Sequence, residues 1–321
     1  MKKTRFGLIG FGAWGQHHAR AIAECPVAEL AAIADRSPEN QAEARRRHPA
    51  AMVVGEAEQL LARPDIEVVD VALPSHLHFA VGTAALRAGK HLFMEKPMAL
   101  TLADCEGLEK LAREQKRLLA IGHEFRLSSL WGKVKEMIDA GAIGDPLYVL
   151  IELWRNPYRT GAEGWRYDIK RVGNWILEEP IHFFDLARWY LSGAGNPVSI
   201  YARANSRQPD HPELQDNFSA IVNFRRGAYA VISQTLSAFE HHQVAKVTGT
   251  RGALWANWSG AMDRTFHPTF SLRHFDGRKV VEVPMAGTSG EVYELAEEIA
   301  RMSKAAQGNG QLWATGEDGK W

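Results

Sequence analysis

Three groups of residues in this 321-residue sequence have types and spacings that suit chemistry. The first is Gly10-Phe11-Gly12-Ala13-Trp14-Gly15, a G-x-G-x-x-G that follows an apolar run and opens a helical pattern. Gly10 permits a tight turn, Gly12 lets the backbone approach a pyrophosphate, and Gly15 allows close packing of helix on strand. The pyrophosphate of such a ligand sits on the helix N-terminus. Asp35 stands twenty positions after Gly15, at the end of the next strand pattern. A carboxylate there accepts hydrogen bonds from an adenosine ribose and repels a 2′-phosphate, so NAD is expected ahead of NADP. Arg36 is adjacent and could bind that phosphate or stack on adenine, which leaves NADP open.

The second group is Glu95-Lys96-Pro97, directly after the apolar run His91–Met94. A lysine just past the C-terminal end of a strand sits where open α/β sheets bind ligands. Burial and a positively charged nicotinamide ring would both favour its neutral, proton-accepting form.

The third group is Glu178-Glu179-Pro180-Ile181-His182-Phe183-Phe184-Asp185. Pro180 suits the first position of a helix running to about Leu191, with Gly193 and Gly195 beyond it. His182 then falls in the first turn, and an imidazole can take or give a proton near neutral pH, as oxidation of a hydroxyl requires. Glu178 could orient that ring or hydrogen-bond a substrate, and Asp185 reads as a structural partner. Trp154, Tyr158, Trp165 and Trp175 fall close to these segments. Their faces would complement the C–H faces of a sugar, and would equally suit a packed sheet core. Arg126, Arg155 and Arg166 could contact a hydroxyl-rich substrate or close salt bridges. His76 with His78, and His241 with His242, do not make metal spacing with nearby carboxylates or cysteines, so no metal is expected.

The elements that position these groups change character near His123. Before it, short apolar strands (Arg5–Ile9, Leu30–Ala34, Val68–Leu73, His91–Met94, Arg117–Ile121) alternate with helical patterns such as Ala13–Glu24, Pro38–His48 and Phe79–Ala88. Thr101 stands three residues before Asp104, a capping spacing that starts the helix Leu102–Gln115. Such alternation means βαβ units and a parallel sheet. After a helix at Leu130–Asp139 come alternating strands: Leu147–Trp154, Val198–Ala204, Phe218–Phe224, Ala228–Thr235, Val244–Thr248, Ala253–Trp258, Phe270–His274 and Lys279–Val283. Arg226-Gly227, Thr250-Arg251-Gly252 and Asp276-Gly277 supply hairpin turns. The expected fold is α/β: a Rossmann-type parallel sheet over 1–123, then an α/β domain with a large, mostly antiparallel open-faced sheet over 124–321.

Several segments together resemble the glucose–fructose oxidoreductase / inositol dehydrogenase (Gfo/Idh/MocA) family. They are the glycine turn, Pro74-x-x-x-His78, Ala88-Gly89-Lys90-His91 leading to Glu95-Lys96-Pro97, the G-A-I-G-D-P of 141–146, Trp165-Arg166-x-Asp168, and His182-x-x-Asp185. The resemblance covers nearly the whole chain. It implies that Lys96 lies beside the nicotinamide and handles the proton of the reacting hydroxyl, that Glu95 holds the nicotinamide-side ribose, and that Pro97 often follows a cis peptide bond. It adds Leu73, Pro74, Ser75, His78, Trp165 and Arg166 to the cofactor residues; among the aromatic residues and arginines above, Arg126, Trp154 and Tyr158 are those expected to face substrate. Family members commonly have an aspartate where this chain has Glu178, glycines around the positions of Gly173-Asn174-Trp175, and glycine where Pro180 stands. The carboxylate is one methylene longer here, which predicts the same broad role with altered substrate geometry.

The implied activity is NAD(P)-dependent interconversion of a secondary hydroxyl and a ketone on a sugar, cyclitol or polyol. Two other readings share the fold: an NAD-dependent glycosidase, whose extended glycine-rich signature is missing, and a cofactor-sensing regulator, a type that tends to lose the lysine present here as Lys96. The open sheet face implies a homo-oligomer, dimer or tetramer. Lysine plus arginine balance aspartate plus glutamate at 38 each, which argues against nucleic acid as a partner. No run of 18 apolar residues is available to span a membrane, and glycines break the apolar N-terminal stretch where a signal peptide would continue. Two cysteines, Cys25 and Cys105, make no disulfide framework and fit a reducing, cytoplasmic setting. Finally, Thr315 and Asp318 are helix-capping types close to Trp321, where the sequence stops. In the resemblance this stretch opens a helix that packs on the second domain, so a terminal helix is expected to be missing, with an apolar groove exposed near Trp313 and Trp321.

Overall fold

Strands buried on both faces form the first sheet. The computed structural model describes residues 2–321. In it β1 (Thr4–Ile9), β2 (Ala28–Ala34), β3 (Met52–Val54), β4 (Val68–Val71), β5 (His91–Met94) and β6 (Leu119–Ile121) alternate with α1 (Gly15–Glu24), α2 (Pro38–Arg47), α3 (Ala57–Leu61), α4 (His78–Arg87) and α5 (Leu102–Glu114). All the pairings are parallel, in the order β3-β2-β1-β4-β5-β6. Every residue of β4 is buried, as parallel strands covered by helices require. The order reverses between β1 and β4, which makes the crevice at their C-terminal ends the ligand side. Local chemistry starts the helices where the sequence placed them: Ser37 accepts from the Asn40 amide with Pro38 next in line, and Thr101 accepts from the Asp104 amide at 3.1 Å.

The second sheet has eight strands in the order β14-β13-β12-β11-β7-β10-β9-β8. Its strands are β7 (Pro146–Arg155), β8 (Pro197–Asn205), β9 (Asn217–Phe224), β10 (Tyr229–Thr235), β11 (His241–Gly249), β12 (Ala253–Gly260), β13 (Thr269–Phe275) and β14 (Val280–Glu282). Only β7 and β10 pair in parallel. Helices α6 (Trp131–Asp139), α7 (Ile169–Val172) and α8 (Pro180–Tyr190) complete this unit, with α6 and α8 supplying core residues against one sheet face. On β9, Phe218, Ala220, Val222 and Phe224 are buried while Ser219, Ile221 and Asn223 are exposed, the period of two that gives a strand one apolar face. The opposite sheet face is open, and Trp154, Tyr201, Tyr229 and Trp255 are exposed there.

The chain forms two compact units, 1–123 with 295–321, and 124–294. The sequence reading assigned the C-terminal stretch to the second domain. Instead the segment after 294, with most of α9 (Glu291–Ala306) and all of α10 (Gly316–Lys320), belongs to the first unit. Thr4 Oγ1 donates to Ser303 O, and the Ile121 amide donates to Ala314 O at 3.2 Å beside β6. The stretch after Thr315 opens a helix, as the resemblance implied, with Thr315 and Asp318 in a reciprocal capping box, but the turn packs on α5 and β6 of the first unit rather than on the second domain. Trp313 is buried edge-on against Phe93 rather than lining an exposed groove, while Trp321 is exposed.

Candidate active site

The glycine turn has the geometry its sequence implied. Gly10 takes φ +99°, and a Cβ there would stand 2.4 Å from Ala72 O. A Cβ on Gly15 would stand 2.0 Å from Gly10 O, so helix α1 reaches the strand only because both are glycine. Gly12 has open space on its Cβ side, the room a pyrophosphate needs. Trp14 caps α1. Asp35 closes the far side of the turn: one carboxylate oxygen accepts the Phe11 amide at 2.6 Å and the other the Ser37 amide at 2.8 Å, with Asn40 beside both. Ala13 lies in the turn itself, between Gly12 and Trp14. Arg36, by contrast, points into solvent and pairs with Glu56 at 3.1 Å.

Past β4 the chain runs through Leu73 and Pro74 into a single turn at Ser75, which is buried. His78 opens α4 with its ring nitrogens 2.6 Å from Pro97 O and 2.8 Å from Leu73 O. It therefore ties the two loops together rather than presenting a free ring edge. The Lys96–Pro97 bond is cis, as the resemblance implied. Lys96 itself is half-buried at the C-terminal end of β5. Glu95 is buried and accepts from Trp14 Nε1 at 2.8 Å, from His18 Nε2 at 3.1 Å and from the Lys96 amide at 3.2 Å.

In the second unit, Pro180 occupies the first turn of α8 and delivers His182 into the interior. The imidazole stacks on Phe125, centroids 4.7 Å apart, with Nε2 3.4 Å from Glu124 Oε1. Glu178, just before the helix, accepts from Arg166 Nε at 2.6 Å, and that guanidinium lies 4.6 Å over the Trp165 ring. Trp175 donates to Arg166 O, which fixes the backbone of the same segment. Glu178, expected at the substrate, and Arg166 and Trp165, expected at the cofactor, thus come together in this unit.

Three expected substrate residues have other contacts, and of these Tyr158 packs on Trp175 in one cluster with Trp165. Trp154 is 54% exposed on the open sheet face, because it follows Leu153 on β7 and successive strand residues point to opposite faces. Tyr158 is buried, with Arg155 over its ring and its hydroxyl donating to Gln234 at 3.2 Å. Arg126 makes a two-nitrogen pair with Asp185, at 2.8 and 2.6 Å, and lies over Trp189. That pair also explains Asp185, the structural partner the sequence suggested.

Two family models match the chain: one described as "Oxidoreductase family, NAD-binding Rossmann fold" over residues 4–123, and a Gfo/Idh/MocA C-terminal domain over 131–255. An inositol 2-dehydrogenase of Rhizobium meliloti (strain 1021) is 30% identical over 257 residues, 79% of this chain and 75% of that protein. The chain belongs to the Gfo/Idh/MocA family. A 1,5-anhydro-D-fructose reductase of Ensifer adhaerens is 28% identical over 99% of this chain and 92% of its own. Levoglucosan dehydrogenase, solved with NADH and levoglucosan, shares the fold with a TM-score of 0.84 at 23% identity, covering 99% of this chain and 94% of that one.

This Gfo/Idh/MocA member is an NAD-binding oxidoreductase. Its own residues fit the cofactor: the space beside Gly12, the crowding at Gly10 and Gly15 that excludes side chains, and a carboxylate at Asp35 closing the turn. Among the described residues, no group of three or more histidines, cysteines or acidic residues is arranged to hold a metal ion, and no helix is long and apolar enough to cross a membrane.

Sequence reasoning missed two buried clusters. His18 lies between Asp70 and Glu95; its position four residues after Trp14, on the buried face of α1, was the available signal. Glu179, next to Glu178, is fully enclosed with Arg155, His241 and Gln243. Burial works against its charge, but His241 and Arg155 hold its carboxyl well below the usual carboxylate range. Nothing in the sequence links these residues, which come from three different elements.

Proposed function

We propose that this oxidoreductase interconverts a secondary hydroxyl and a ketone on a sugar, cyclitol or polyol, using NAD. The observation that carries the reading is Lys96, half-buried at the C-terminal end of β5 beside a carboxylate whose orientation is fixed. The relatives' names, an inositol dehydrogenase and an anhydrofructose reductase among them, supply the substrate class. When bound, the cofactor accepts or returns the hydride. The chain's own work is to move the hydroxyl proton and to hold the substrate. Lys96 takes the proton as the hydroxyl is oxidised and returns it in the reverse direction. His182 is a second proton-handling group, its ring held flat by Phe125. Glu178, oriented by Arg166, accepts hydrogen bonds from substrate hydroxyls. Glu95 holds the nicotinamide-side ribose and Asp35 the adenosine ribose, which favours NAD over NADP.

Two further parts of the proposal concern setting. The exposed aromatic residues of the open sheet face suit a second copy of the chain, giving a dimer or tetramer, which light scattering on the purified protein tests. Both cysteines are unpaired and buried, which suits the cytoplasm.

The decisive experiment is Lys96→Ala, assayed with a panel of polyols and sugars and with both cofactors. Turnover should fall by about two decades or more while NAD still binds. A variant with ordinary turnover would remove Lys96 from the reaction. Cofactor reduction absent with every polyol, but release of an aryl glycoside's phenol, would replace the dehydrogenase reading with a glycosidase.

A further inference from the structure

We infer that His18 and Asp70 form a positioning pair behind Glu95, and that through it they set how tightly the protein holds the nicotinamide half of its cofactor. The inference rests on the proposed contact of Glu95 with the nicotinamide-side ribose.

The geometry begins with a ring that has no access to water. His18 is fully buried in α1, packed against Phe93 and edge-on to Trp14. Its Nδ1 lies 2.8 Å from Asp70 Oδ2 and its Nε2 lies 3.1 Å from Glu95 Oε1. Asp70 sits in the middle of β4, in a strand otherwise entirely apolar. A neutral imidazole carries one N–H and would turn its lone pair toward one of the two carboxylates. Only the imidazolium donates to both. The groups facing this ring are Trp14 on its own helix, Asp70 on β4, Phe93 on β5 and Glu95 just beyond it, and the two charged ones are both carboxylates that favour the imidazolium. Burial would lower the affinity of His18 for its proton, but the charge and hydrogen bond of Asp70, then those of Glu95, push it up to about 10. Burial holds the Asp70 carboxyl above its ordinary value, with the imidazolium working against that rise and the Glu95 charge adding to it. Burial also opposes the charge on Glu95, yet His18, Lys96 and Trp14 hold that carboxyl down at about 2.

The consequence is a carboxylate that is ionised and cannot turn. Glu95 Oε1 takes donors from Trp14 and His18, and Oε2 takes the Lys96 amide. Trp14 belongs to the glycine turn and Lys96 to the loop after β5. His18 is thus the charge that lets one buried carboxylate join the pyrophosphate turn to the lysine loop. The absence of a side chain at Gly122 gives that carboxylate its space, since a Cβ there would stand 3.0 Å from Oε1.

The test uses the cofactor-free protein and three ligands. In nitrogen-15 spectra of the histidine side chains, assigned with His18→Gln, the His18 ring should stay doubly protonated from about pH 6 to about pH 9. A neutral ring, or one that titrates in that range, overturns the inference. Calorimetry then compares NAD, ADP-ribose and AMP on Asp70→Asn and His18→Gln. NAD and ADP-ribose should weaken by about tenfold or more, as for a disturbed charge-assisted contact, with AMP unchanged. Equal weakening of all three ligands, or of none, overturns it. Glu95→Gln separates the two claims. If it leaves ADP-ribose binding intact, the ribose assignment has failed. If it weakens ADP-ribose while Asp70→Asn does not, the positioning pair alone has failed.

Discussion

Arg166 donates to Glu178 across 2.6 Å, with the Trp165 ring beneath the guanidinium. Glutamate at this position reaches one methylene further than the aspartate common in the family, and the arginine meets it there. Glu178→Asp should therefore break the contact and move the carboxylate. The expected outcome is a change of about tenfold or more in kcat/KM ratios across a polyol panel, with NAD affinity unchanged. Unaltered substrate preference would take Glu178 away from the substrate.

Besides its proposed place at the adenosine ribose, Asp35 holds the backbone of the glycine turn and of the entry to α2. Its oxygens accept the Phe11 and Ser37 amides, so Asp35→Ala leaves both donors without this partner. NAD should weaken more than NADP, because the variant loses a ribose acceptor and also a repulsion of the 2′-phosphate. Thermal stability should fall as well, by the ~1 kcal/mol typical of a lost cap. Titration with the two cofactors decides the matter; equal affinity loss for both would leave the preference for NAD unsupported.

The Arg126–Asp185 pair is almost wholly buried, with 7% and 4% of the two side chains exposed. Removing one partner strands the other's charge, so Arg126→Met should cost about 3–5 kcal/mol in denaturant unfolding. Arg126→Met combined with Asp185→Leu should recover part of that loss, since the Asp185 charge is then no longer stranded. A double variant less stable than Arg126→Met would contradict the pairing.

Glu294 supplies a pH dependence. Both its oxygens lie 3.0 Å from the Gly290 amide, and burial pushes its carboxyl from 4.5 up to about 7. The folded chain holds this proton more tightly than the unfolded chain. The stability it confers is complete below about pH 4.5 and is lost as pH rises through about 7. A shift of this size corresponds to about 3 kcal/mol. Glu294→Gln should show a flatter stability profile between about pH 5 and 8, measured by urea unfolding. An unchanged slope would mean that the carboxyl is ionised throughout.

What the sequence disclosed, and what it hid, follows from the range of the interactions. The glycine turn, Asp35 and the capping of α5 are local, and their spacing alone predicts their geometry. The outward and inward residues of β9 follow from a period of two. Trp154 and Tyr158 read alike in the sequence, but proximity along a strand does not choose a face: the pleat turned Trp154 to solvent, while Tyr158, past the end of β7, packs on Trp175. Arg126 finds Asp185 59 residues away, a partner no local pattern announces. His18 and Asp70 stand 52 residues apart in sequence, and only the fold sets them side by side. Helix α10 spans five residues, too few to form without the α5 and β6 surfaces it rests on.

The return of the chain to β6 also sets an order of events during synthesis. Ala314 and Thr315 lie against the outer edge of β6, at Ile121 and Ala120. Roughly 190 residues separate that edge from its cover, about 10–40 s of translation at ordinary ribosomal speeds. Throughout that interval the emerging parallel sheet presents an uncovered strand, a template for pairing with another nascent copy. A ribosome pausing anywhere in the second unit would lengthen the exposure. The same chain made slowly, or crowded on one messenger, should lean on holding chaperones until its last residues emerge.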